Sequence, residues 1–500
     1  MLLGEILTAA ATNAHGVTAV TCNSKTLSFS ELDERADAWA GHLLSSGSPG
    51  DRIAILAENC VEFVEVLYGT SRAGAIAVPL NYRFHPSEWI ELLQLSGATT
   101  LVAQSQFLDR LTSRLDETVV ETVINMDEFV PTAVADFESP ALSETDVVWL
   151  IATSGTTGTP KLAMITHRSL GSAIDNLAAC RPIASGDVLI TPFPMCHIAV
   201  YNVIAFHANL RTVVLLPRFD PQLFTTLIAS EQATTLSLAP TMIASWLDSL
   251  QDATADLSSI RTLGYGASAI PTPLLVRAIE RLGVDLSQGY GMTELSGNAA
   301  FMNGEDHRLA ANGDSRLLGA AGRSGPLVEL RVVDASGAEA PAGEVGEVEV
   351  RGNQVCAGYW GNAEATSASF GVDGWFQTGD LGRIDDDGLL SIVDRKKDVI
   401  VTGGENVASR EVERALEDHP AVKEVAVVGV PDPVWGENIC AVVVPCDVNE
   451  PPALEELATF VAGRLAGFKK PKRLEIRVEL PKNATGKVQK QVLRDLYRDY

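Results

Sequence analysis

The sequence predicts an α/β protein with a large N-terminal domain of parallel sheets, a small β-barrel-like subdomain and a small mobile α+β C-terminal domain. Its 500 residues exceed what one hydrophobic core usually supports. Short apolar runs alternate with helical patterns through the first half, and the pattern changes near Gly322 and again near Asp394. We therefore expect domains at 1–393 and 398–500, joined by a hinge at 394–397.

The first half has the strand–helix–strand order that builds parallel sheets. The runs RIAILAE, AIAVPLN and TTLVAQ predict strands, and the segments CVEFVEVLYGTSRAG and HPSEWIELLQLSGA between them predict helices. The same order recurs in TVVLLP, FDPQLFTTLIASEQA, TTLSLAP and PLLVRAIERLG. Helices that cross between parallel strands cover both faces of the sheet, so we expect a layered core.

The second half changes to antiparallel signals. The segment LVELRVVDASGAEAPAGEVGEVEVRG alternates apolar and polar residues around glycine-rich turns, which is typical of an antiparallel sheet. The segments SREVERALEDHPAVKEVAVVGVPD and LEELATFVAGRLAG then predict a helix, a strand and a second helix. Between these regions, VDRKKDVIV is short and charged, and we expect it to be the hinge.

Charge and hydropathy exclude two classes of partner. The formal net charge is −26, whereas nucleic-acid binding needs clustered Lys and Arg. The longest uncharged stretch runs from Val188 to Leu210, but Pro192, Pro194 and His197 make lipid exposure costly. We expect a buried strand, loop and helix there and no integral membrane association. The start of the chain lacks the basic segment of an export signal, which favours a cytoplasmic protein.

The seven cysteines form no C-x-x-C pair and are odd in number. This pattern predicts reduced thiols, in neither a disulfide framework nor a zinc site.

The densest cluster of anion-binding groups is TSGTTGTPK, which follows the apolar run VVWLIA. Glycines let backbone N–H groups approach an anion, and the hydroxyls and the lysine add donors and charge. This is not a Walker P-loop, because Pro160 precedes the lysine and Leu162 follows it. We expect the loop to hold nucleotide phosphates through Thr153, Ser154, Gly155, Thr156, Thr157, Gly158 and Lys161.

The loop closely resembles the signature of the adenylate-forming enzymes, which include acyl- and aryl-CoA synthetases, firefly luciferase and nonribosomal adenylation domains. Further motifs follow in the family's order: PMCH at Pro194–His197, YGAS at Tyr265–Ser268, YGMTE at Tyr290–Glu294, GWFQTGDL at Gly374–Leu381, DRKKDVIVTGGENV at Asp394–Val407 and LPKNATGKVQK at Leu480–Lys490. The resemblance covers essentially the whole chain. It implies an AMP-forming acid–thiol ligase that uses ATP and Mg²⁺ to convert a carboxylic acid into acyl-AMP, and then transfers the acyl group to CoA.

The resemblance also implies residue roles. Lys487 bridges the carboxylate and α-phosphate oxygens, where an ammonium stabilises the developing charge. Thr293 hydrogen-bonds the α-phosphate, and Glu294 holds Mg²⁺. Asp380 and Arg395 contact the ribose, although Arg395 could instead be a solvated hinge charge.

The remaining implied assignments concern the nucleotide, the hinge and CoA. Lys397 is the position about which the C-terminal domain rotates between adenylation and thioester formation. After rotation, Gly403 and Gly404 leave room for the pantetheine arm. The other implied nucleotide contacts are Gly266, Ala267, Ser268, Gly289, Tyr290, Gly291 and Met292.

The acyl pocket is expected among six residues: His197, Ala239, Tyr265, Gly266, Gly291 and Met292. In relatives that use acetate, a tryptophan at the place of Gly291 closes the pocket, so glycine favours a medium- or long-chain, alicyclic or aromatic acid. None of the six is a cation, which disfavours a dicarboxylate. His197 either gates this pocket or is an ordinary core histidine, and no second ligand at metal-binding spacing accompanies it.

One departure from the family pattern is Leu162, which stands where the family usually has glycine and could alter loop packing. Two other functions stay open: loading of an acyl carrier protein in trans, and nucleotide binding without full chemistry. The presence of Glu294, Asp380 and Lys487 argues against the second. Homodimer formation also stays open.

Overall fold

The computed structural model describes residues 1–130, 132, 137–153, 160–250, 256–266, 270–371, 373–402, 405–483 and 486–497. Its helices are α1 Leu3–Asn13, α2 Phe29–Ser46, α3 Val61–Arg72, α4 Pro86–Ser96, α5 Ser105–Leu111, α6 His167–Cys180, α7 Tyr201–Ala208, α8 Pro221–Ser230, α9 Pro240–Ser249, α10 Thr272–Leu282, α11 Gly304–Ala311, α12 Ala363–Ser369, α13 Ser409–Glu417, α14 Leu454–Ala462 and α15 Lys490–Leu496.

The strands are β1 Thr18–Cys22, β2 Lys25–Ser28, β3 Arg52–Leu56, β4 Ile76–Pro79, β5 Thr100–Ala103, β6 Thr122–Asn125, β7 Val147–Thr153, β8 Lys161–Thr166, β9 Val188–Thr191, β10 Thr212–Leu215, β11 Thr235–Leu238, β12 Thr262–Tyr265, β13 Asp285–Met292, β14 Gly297–Met302, β15 Arg323–Ser324, β16 Val328–Val333, β17 Gly346–Gly352, β18 Phe376–Ile384, β19 Leu390–Arg395, β20 Ile400–Thr402, β21 Glu405–Val407, β22 Val422–Asp432, β23 Gly436–Pro445 and β24 Arg473–Ile476. The strands and helices predicted above all form, with ends shifted by a few residues.

Two sheets with parallel centres form the larger part of the protein. One has nine strands in the order β15-β14-β13-β12-β11-β9-β10-β1-β2, and the other has six in the order β6-β5-β3-β4-β7-β8. Strands β9 to β13 pair in parallel, and antiparallel pairs close the edges, as at β13–β14 and β7–β8. Because the carboxyl ends of parallel strands meet at one edge, the loops after β11, β12 and β13 lie together.

Local sequence signals set several helix boundaries. The Ser28 side chain accepts a bond from the Glu31 amide, and the Glu31 carboxylate accepts one from the Ser28 amide, so a capping box begins α2. The Asp220 side chain caps α8 by accepting a bond from the Leu223 amide, and Pro221 lies in the first turn of the helix. The apolar faces of these helices cover sheets whose cores include the buried tryptophans Trp39, Trp89, Trp149 and Trp246.

The antiparallel region is a four-stranded sheet in the order β16-β17-β18-β19. The sequence suggested a barrel-like subdomain. Main-chain bonds join Leu390 of β19 to Ala321 and Gly322, and join the Ala340 amide to the Val332 carbonyl of β16. Within the described residues β16 and β19 do not pair directly with each other. The C-terminal sheet has the order β21-β20-β23-β22, with β24 added beside β23. Its helices α13 and α14 pack on one face, as predicted for an α+β unit.

The uncharged stretch from Val188 to Leu210 forms β9, a loop and α7, as predicted. Within the described residues, no helix is both long and apolar enough to cross a membrane. All seven cysteines are free, which agrees with the expectation of reduced thiols.

Candidate active site

The site lies where the carboxyl ends of β11 to β13 face a turn of the C-terminal sheet region. A methyl group on Gly486 would lie 3.2 Å from Oγ1 of Thr241, in the first turn of α9. Gly486 has a φ of 83°, which favours glycine, and the Asn483 side chain accepts a bond of 2.9 Å from the Lys487 amide. This turn presents Lys487 to the cleft.

Lys487 occupies an environment that disfavours its charge. The pKa of Lys487 is lowered to about 8, because removal of water by the surrounding protein and nearby Arg395 both lower it while Asp380 opposes the shift. These influences mean that Lys487, Arg395 and Asp380 share one region of the cleft. The three predicted residues come from motifs far apart in the chain, and the fold brings them together.

Asp380 is held from two sides. Asp380 on β18 faces Arg395 on β19, and Arg395 Nε lies 2.9 Å from Asp380 Oδ1. The Tyr290 hydroxyl donates to Asp380 Oδ2 at 2.8 Å, and burial together with Asp380 holds the pKa of that phenol well above its ordinary value. The carboxylate is buried and fixed, yet two oxygens can accept about four hydrogen bonds. It therefore keeps the capacity to accept further donors, such as hydroxyls of a sugar.

Glu294 is positioned by a residue that sequence reasoning missed. The Tyr359 hydroxyl donates to Glu294 Oε1 at 3.0 Å, and the Glu294 carbonyl accepts a bond of 2.8 Å from the Cys356 amide. Lys161 Nζ lies 4.7 Å from the centre of the Tyr359 ring, so the tyrosine joins the phosphate-loop lysine to the carboxylate. Thr293 begins the 3-10 turn Thr293–Leu295, directly after β13. No sequence motif predicted Tyr359, because it lies between the recognised motifs.

The phosphate loop is described only at its two ends. Thr153 on β7 and Lys161 on β8 are partners in antiparallel register. Leu162 is 1% exposed within the core beside β3, β4 and β7, so the bulkier residue is accommodated in the interior. The predicted contacts that lie outside the described residues are Ser154, Gly155, Thr156, Thr157, Gly158, Ala267, Ser268, Gly403 and Gly404.

His197 lies between β9 and α7 and stays neutral. Burial and, to a smaller extent, nearby Arg83 lower its pKa to about 4. Its Nε2 lies 3.4 Å from the Asn81 side-chain nitrogen, which is a long contact. The described residues contain no group of three or more metal-ligating side chains, here or elsewhere.

A cavity of about 350 Å³ lies on the Arg83 side of His197. Its walls carry three arginines and two aromatic rings, with the full lining Tyr82, Arg83, Gln106, Phe107, Arg110 and Arg218. Sequence reasoning did not identify this cavity, because its cations come from separate loops and helices.

The predicted acyl-pocket residues do not all face one space. Strand neighbours alternate between sheet faces, so Tyr265 points away from the face of Gly264. The Tyr265 hydroxyl donates to Gln288 at 3.0 Å and lies 2.9 Å from His307, within the apolar layer beneath α8 to α10. Arg181 at the end of α6 lies over the opposite face at Gly264. This geometry does not favour Tyr265 as a pocket wall.

Gly291 also differs from its sequence-based interpretation. A Cβ on Gly291 would lie 2.0 Å from the Gly297 carbonyl oxygen, so its side-chain direction leads into the β14 backbone and not into open space. Glycine is needed there for close strand pairing. Met292 packs against the apolar cluster around Val328 and Phe376. A Cβ on Gly266 would lie 3.0 Å from the Gly289 carbonyl oxygen, so Gly266 packs closely against β13. Ala239 is buried just before α9.

The predicted hinge spans the end of β19 and a 3-10 turn, Lys396–Asp398. Lys397 lies in that turn, and partial burial lowers its pKa. Arg494 of α15 pairs with Asp398 at 2.6 Å, and the Ser409 hydroxyl donates to Asp394 at 2.7 Å. These bonds connect both sides of the predicted hinge.

Comparison with known proteins assigns the family. Residues 7–360 match the family described as AMP-binding enzyme, and residues 411–487 match the AMP-binding enzyme C-terminal domain. Feruloyl-CoA synthase of Amycolatopsis sp is 37% identical over 485 residues, which cover 95% of each chain. Long-chain-fatty-acid–CoA ligase FadD13 of Mycobacterium tuberculosis is 33% identical, covering 94% of this chain and 93% of that protein.

The fold agrees with the sequence comparison. The structure of o-succinylbenzoate CoA synthetase (MenE) from Bacillus subtilis, in complex with the acyl-adenylate intermediate OSB-AMP, superposes with a TM-score of 0.88. That protein is 30% identical, and the match covers 99% of this chain and 98% of the other. The chain therefore belongs to the AMP-binding enzymes of the adenylate-forming superfamily, and it is an acid–thiol ligase of the AMP-forming type.

Proposed function

We propose that the protein is an acyl-CoA synthetase that converts a carboxylic acid and ATP into acyl-AMP and pyrophosphate, and then converts acyl-AMP and CoA into acyl-CoA and AMP. The observation that carries this proposal is the convergence of Lys487 with Asp380 and Arg395. It brings a cation from the C-terminal region to the carboxylate proposed to hold the ribose.

Adenylation joins two anions, because a carboxylate oxygen attacks the α-phosphorus. The Lys487 ammonium offsets their repulsion and stabilises the charge of the transition state. Bound anions favour the charged form of the amine, so substrate binding raises the pKa of Lys487 from its value of about 8 in the free protein. Asp380 accepts hydrogen bonds from the ribose, and Thr293 donates to the α-phosphate.

The phosphate charge calls for a divalent cation as well, and the chain offers a suitable ligand. Mg²⁺ is commonly held by one or two carboxylates together with substrate phosphates, and it neutralises the phosphate charge when bound. Glu294 fits this role, because Tyr359 fixes one of its oxygens. Its other oxygen forms no hydrogen bond within the described part of the chain.

The arginine-lined cavity supports CoA as the acceptor. CoA carries three phosphate groups, and the guanidinium groups of Arg83, Arg110 and Arg218 suit phosphate recognition. Gly403 and Gly404 are the proposed room for the pantetheine arm once the C-terminal region has rotated about Lys397.

A substrate panel tests the proposal. The purified protein is incubated with ATP, Mg²⁺ and assorted carboxylic acids, with and without CoA; pyrophosphate release is followed and products are identified by mass spectrometry. We expect acyl-CoA from one class of medium- or long-chain, alicyclic or aromatic acids. Acyl-AMP that does not react with CoA would instead indicate a carrier-protein acceptor, and the absence of pyrophosphate with every acid would refute the activity.

The hinge role makes a separate prediction. Lys397→Pro should slow thioester formation from supplied acyl-AMP far more than it slows pyrophosphate release, because only the second step needs rotation. Lys397→Ala, which leaves the backbone dihedrals free, is the matched control and should spare both steps. Greater loss of the first step than of the second would place the hinge elsewhere.

A further inference from the structure

Arg181, at the end of α6, is a cation without a counter-ion beside the proposed acid site. Its guanidinium lies against the backbone of Gly264 on β12, where an added Cβ would meet Nη1 at 2.2 Å. Among the described residues it forms no ion pair with Asp or Glu, and its Nε is buried without a hydrogen-bond partner. Loss of water lowers the pKa of this guanidinium, but arginine remains charged in proteins.

The neighbours of Arg181 orient the guanidinium without neutralising it. Nη2 donates to the Asn202 side-chain oxygen at 2.9 Å, and the Asn202 side-chain nitrogen donates to the Ala199 carbonyl at 2.9 Å, so the amide is fixed. The nearby phenol of Tyr201 cannot serve as an anion, because burial raises its pKa to about 12. A buried charge is costly unless a partner compensates it, so a partner supplied by a ligand would explain the arrangement.

The sheet beneath Arg181 is bare. Gly264 pairs in register with Ser237 on β11 and Ser287 on β13, and all three belong to one face of the sheet. Small residues in a row let the Arg181 guanidinium lie directly on the sheet. The same face continues along β12 to Gly266 and along β13 to Gly289 and Gly291, and the Asn298 side chain lies over Gly289.

We propose that Arg181 binds a second, terminal carboxylate on the acid substrate. The proposal rests on the function proposed above and names its substrate class, and it revises the expectation from sequence that a dicarboxylate is disfavoured. A guanidinium presents paired N–H donors that match the two oxygens of a carboxylate. Arg181 would therefore fix the far end of the acid while Lys487 contacts the reacting end.

The spacing along the strands limits the length of the acid. The sheet edge lies two residues beyond Gly264 on β12 and four beyond Ser287 on β13, which at 3.3 Å per residue is about 7 to 13 Å. A chain of roughly six to ten atoms between the two carboxylates spans that interval.

The test compares terminal dicarboxylic acids with monocarboxylic acids of equal length that end in methyl, in the wild type and in Arg181→Met. We expect the ratio of kcat/KM for the diacid to that for the monoacid to fall about 100-fold in the variant, as for loss of a buried charge pair. Arg211→Met is the matched control, since Arg211 Nε donates to the Ala184 carbonyl, and it should leave the ratio unchanged. An unchanged ratio in Arg181→Met overturns the proposal.

A binding measurement separates this inference from the proposed activity. In the presence of ATP, the diacid should raise the Tm of the wild type more than the monoacid does, and Arg181→Met should lose that difference while its own Tm without ligand does not fall. If the diacid and the monoacid raise the Tm of the wild type equally, Arg181 does not bind the second carboxylate. If Arg181→Met lowers the Tm of the free protein but the diacid still raises the Tm more than the monoacid does, Arg181 has a structural role. Absence of thioester with every acid would refute the activity, and the binding difference would still decide the role of Arg181.

Discussion

The nucleotide side and the acid side of the cleft are built on opposite principles. On the nucleotide side, polar groups hold one another, since Tyr290 and Arg395 bind Asp380, and Tyr359 binds Glu294. On the acid side, the sheet presents glycines and serines, and Arg181 has no counter-ion among the described residues. The nucleotide is the same in every turnover, so a site whose groups are already held in place suits it. The acid differs between relatives, so its side of the cleft is expected to offer small residues and a charge without a counter-ion. The predictions below test that contrast.

Lys487→Ala should give the largest loss. Adenylate formation, measured by pyrophosphate release, should fall about 1,000-fold, as for removal of a main charge-stabilising group. Thioester formation from supplied acyl-AMP should survive. Lys482→Ala is the control, because Lys482 lies in the same segment but pairs with Glu424 at 2.6 Å. Equal loss of both half-reactions would contradict the role given to Lys487.

Asp380→Ala should weaken the nucleotide side alone. We expect KM for ATP to rise about 10- to 100-fold, because hydrogen bonds to a charged group contribute roughly 1.5–3 kcal/mol. KM for the acid should change little. Asp387→Ala, which removes a surface pair with Arg316, serves as the control. A larger rise in KM for the acid than in KM for ATP would contradict the assignment of Asp380 to the nucleotide side.

The pH dependence of adenylation should report Lys487. The ammonium is the active form and burial lowers its pKa to about 8, so kcat/KM should fall as pH rises through 8. The loss should approach tenfold by about one unit above that pKa. Lys487→Arg should move this limb to higher pH, because arginine stays protonated. If the fall in kcat/KM occurs at the same pH in Lys487→Arg as in the wild type, a group other than Lys487 causes it.

Tyr359→Phe should have the smallest effect. The substitution removes the hydroxyl that donates a hydrogen bond to Glu294, which costs about 1 kcal/mol of Mg²⁺ binding. The Mg²⁺ concentration needed for half-maximal activity should therefore rise roughly fivefold. Tyr497→Phe, at a hydroxyl that accepts a bond from Arg477, is the control. Equal Mg²⁺ dependence in the wild type and Tyr359→Phe would show that the hydrogen bond does not position the carboxylate.

Sequence predicted the nucleotide side better than the acid side, for a physical reason. Asp380, Arg395 and Lys487 lie in contiguous motifs, so their chemistry is visible in short stretches of sequence. Arg181 and Tyr359 are single residues that reach the site only through tertiary packing.

The direction in which Tyr265 points was not predictable for a related reason. In a strand as short as β12, flanked by glycine, a shift of one residue exchanges the two faces, and the sequence TLGYG does not indicate which residue points to the ligand. The parallel order of the strands was predictable from their alternation with helices. The pairing of Gly322 with Leu390 at the edge of the antiparallel sheet was not, because it joins distant parts of the chain.

The turn from Asn483 to Lys487 has a consequence for the direction of the reaction. The cation that lowers the barrier to acyl-AMP formation lowers the barrier to its reversal by pyrophosphate equally, since both pass through the same transition state. A lysine carried on a separately packed sheet can be withdrawn, whereas one on β13 could not. In the proposed rotation about Lys397, the C-terminal region carries Lys487 out of the cleft before the thiol arrives. The reverse route then loses its catalyst, and the activated acid is committed to its acceptor.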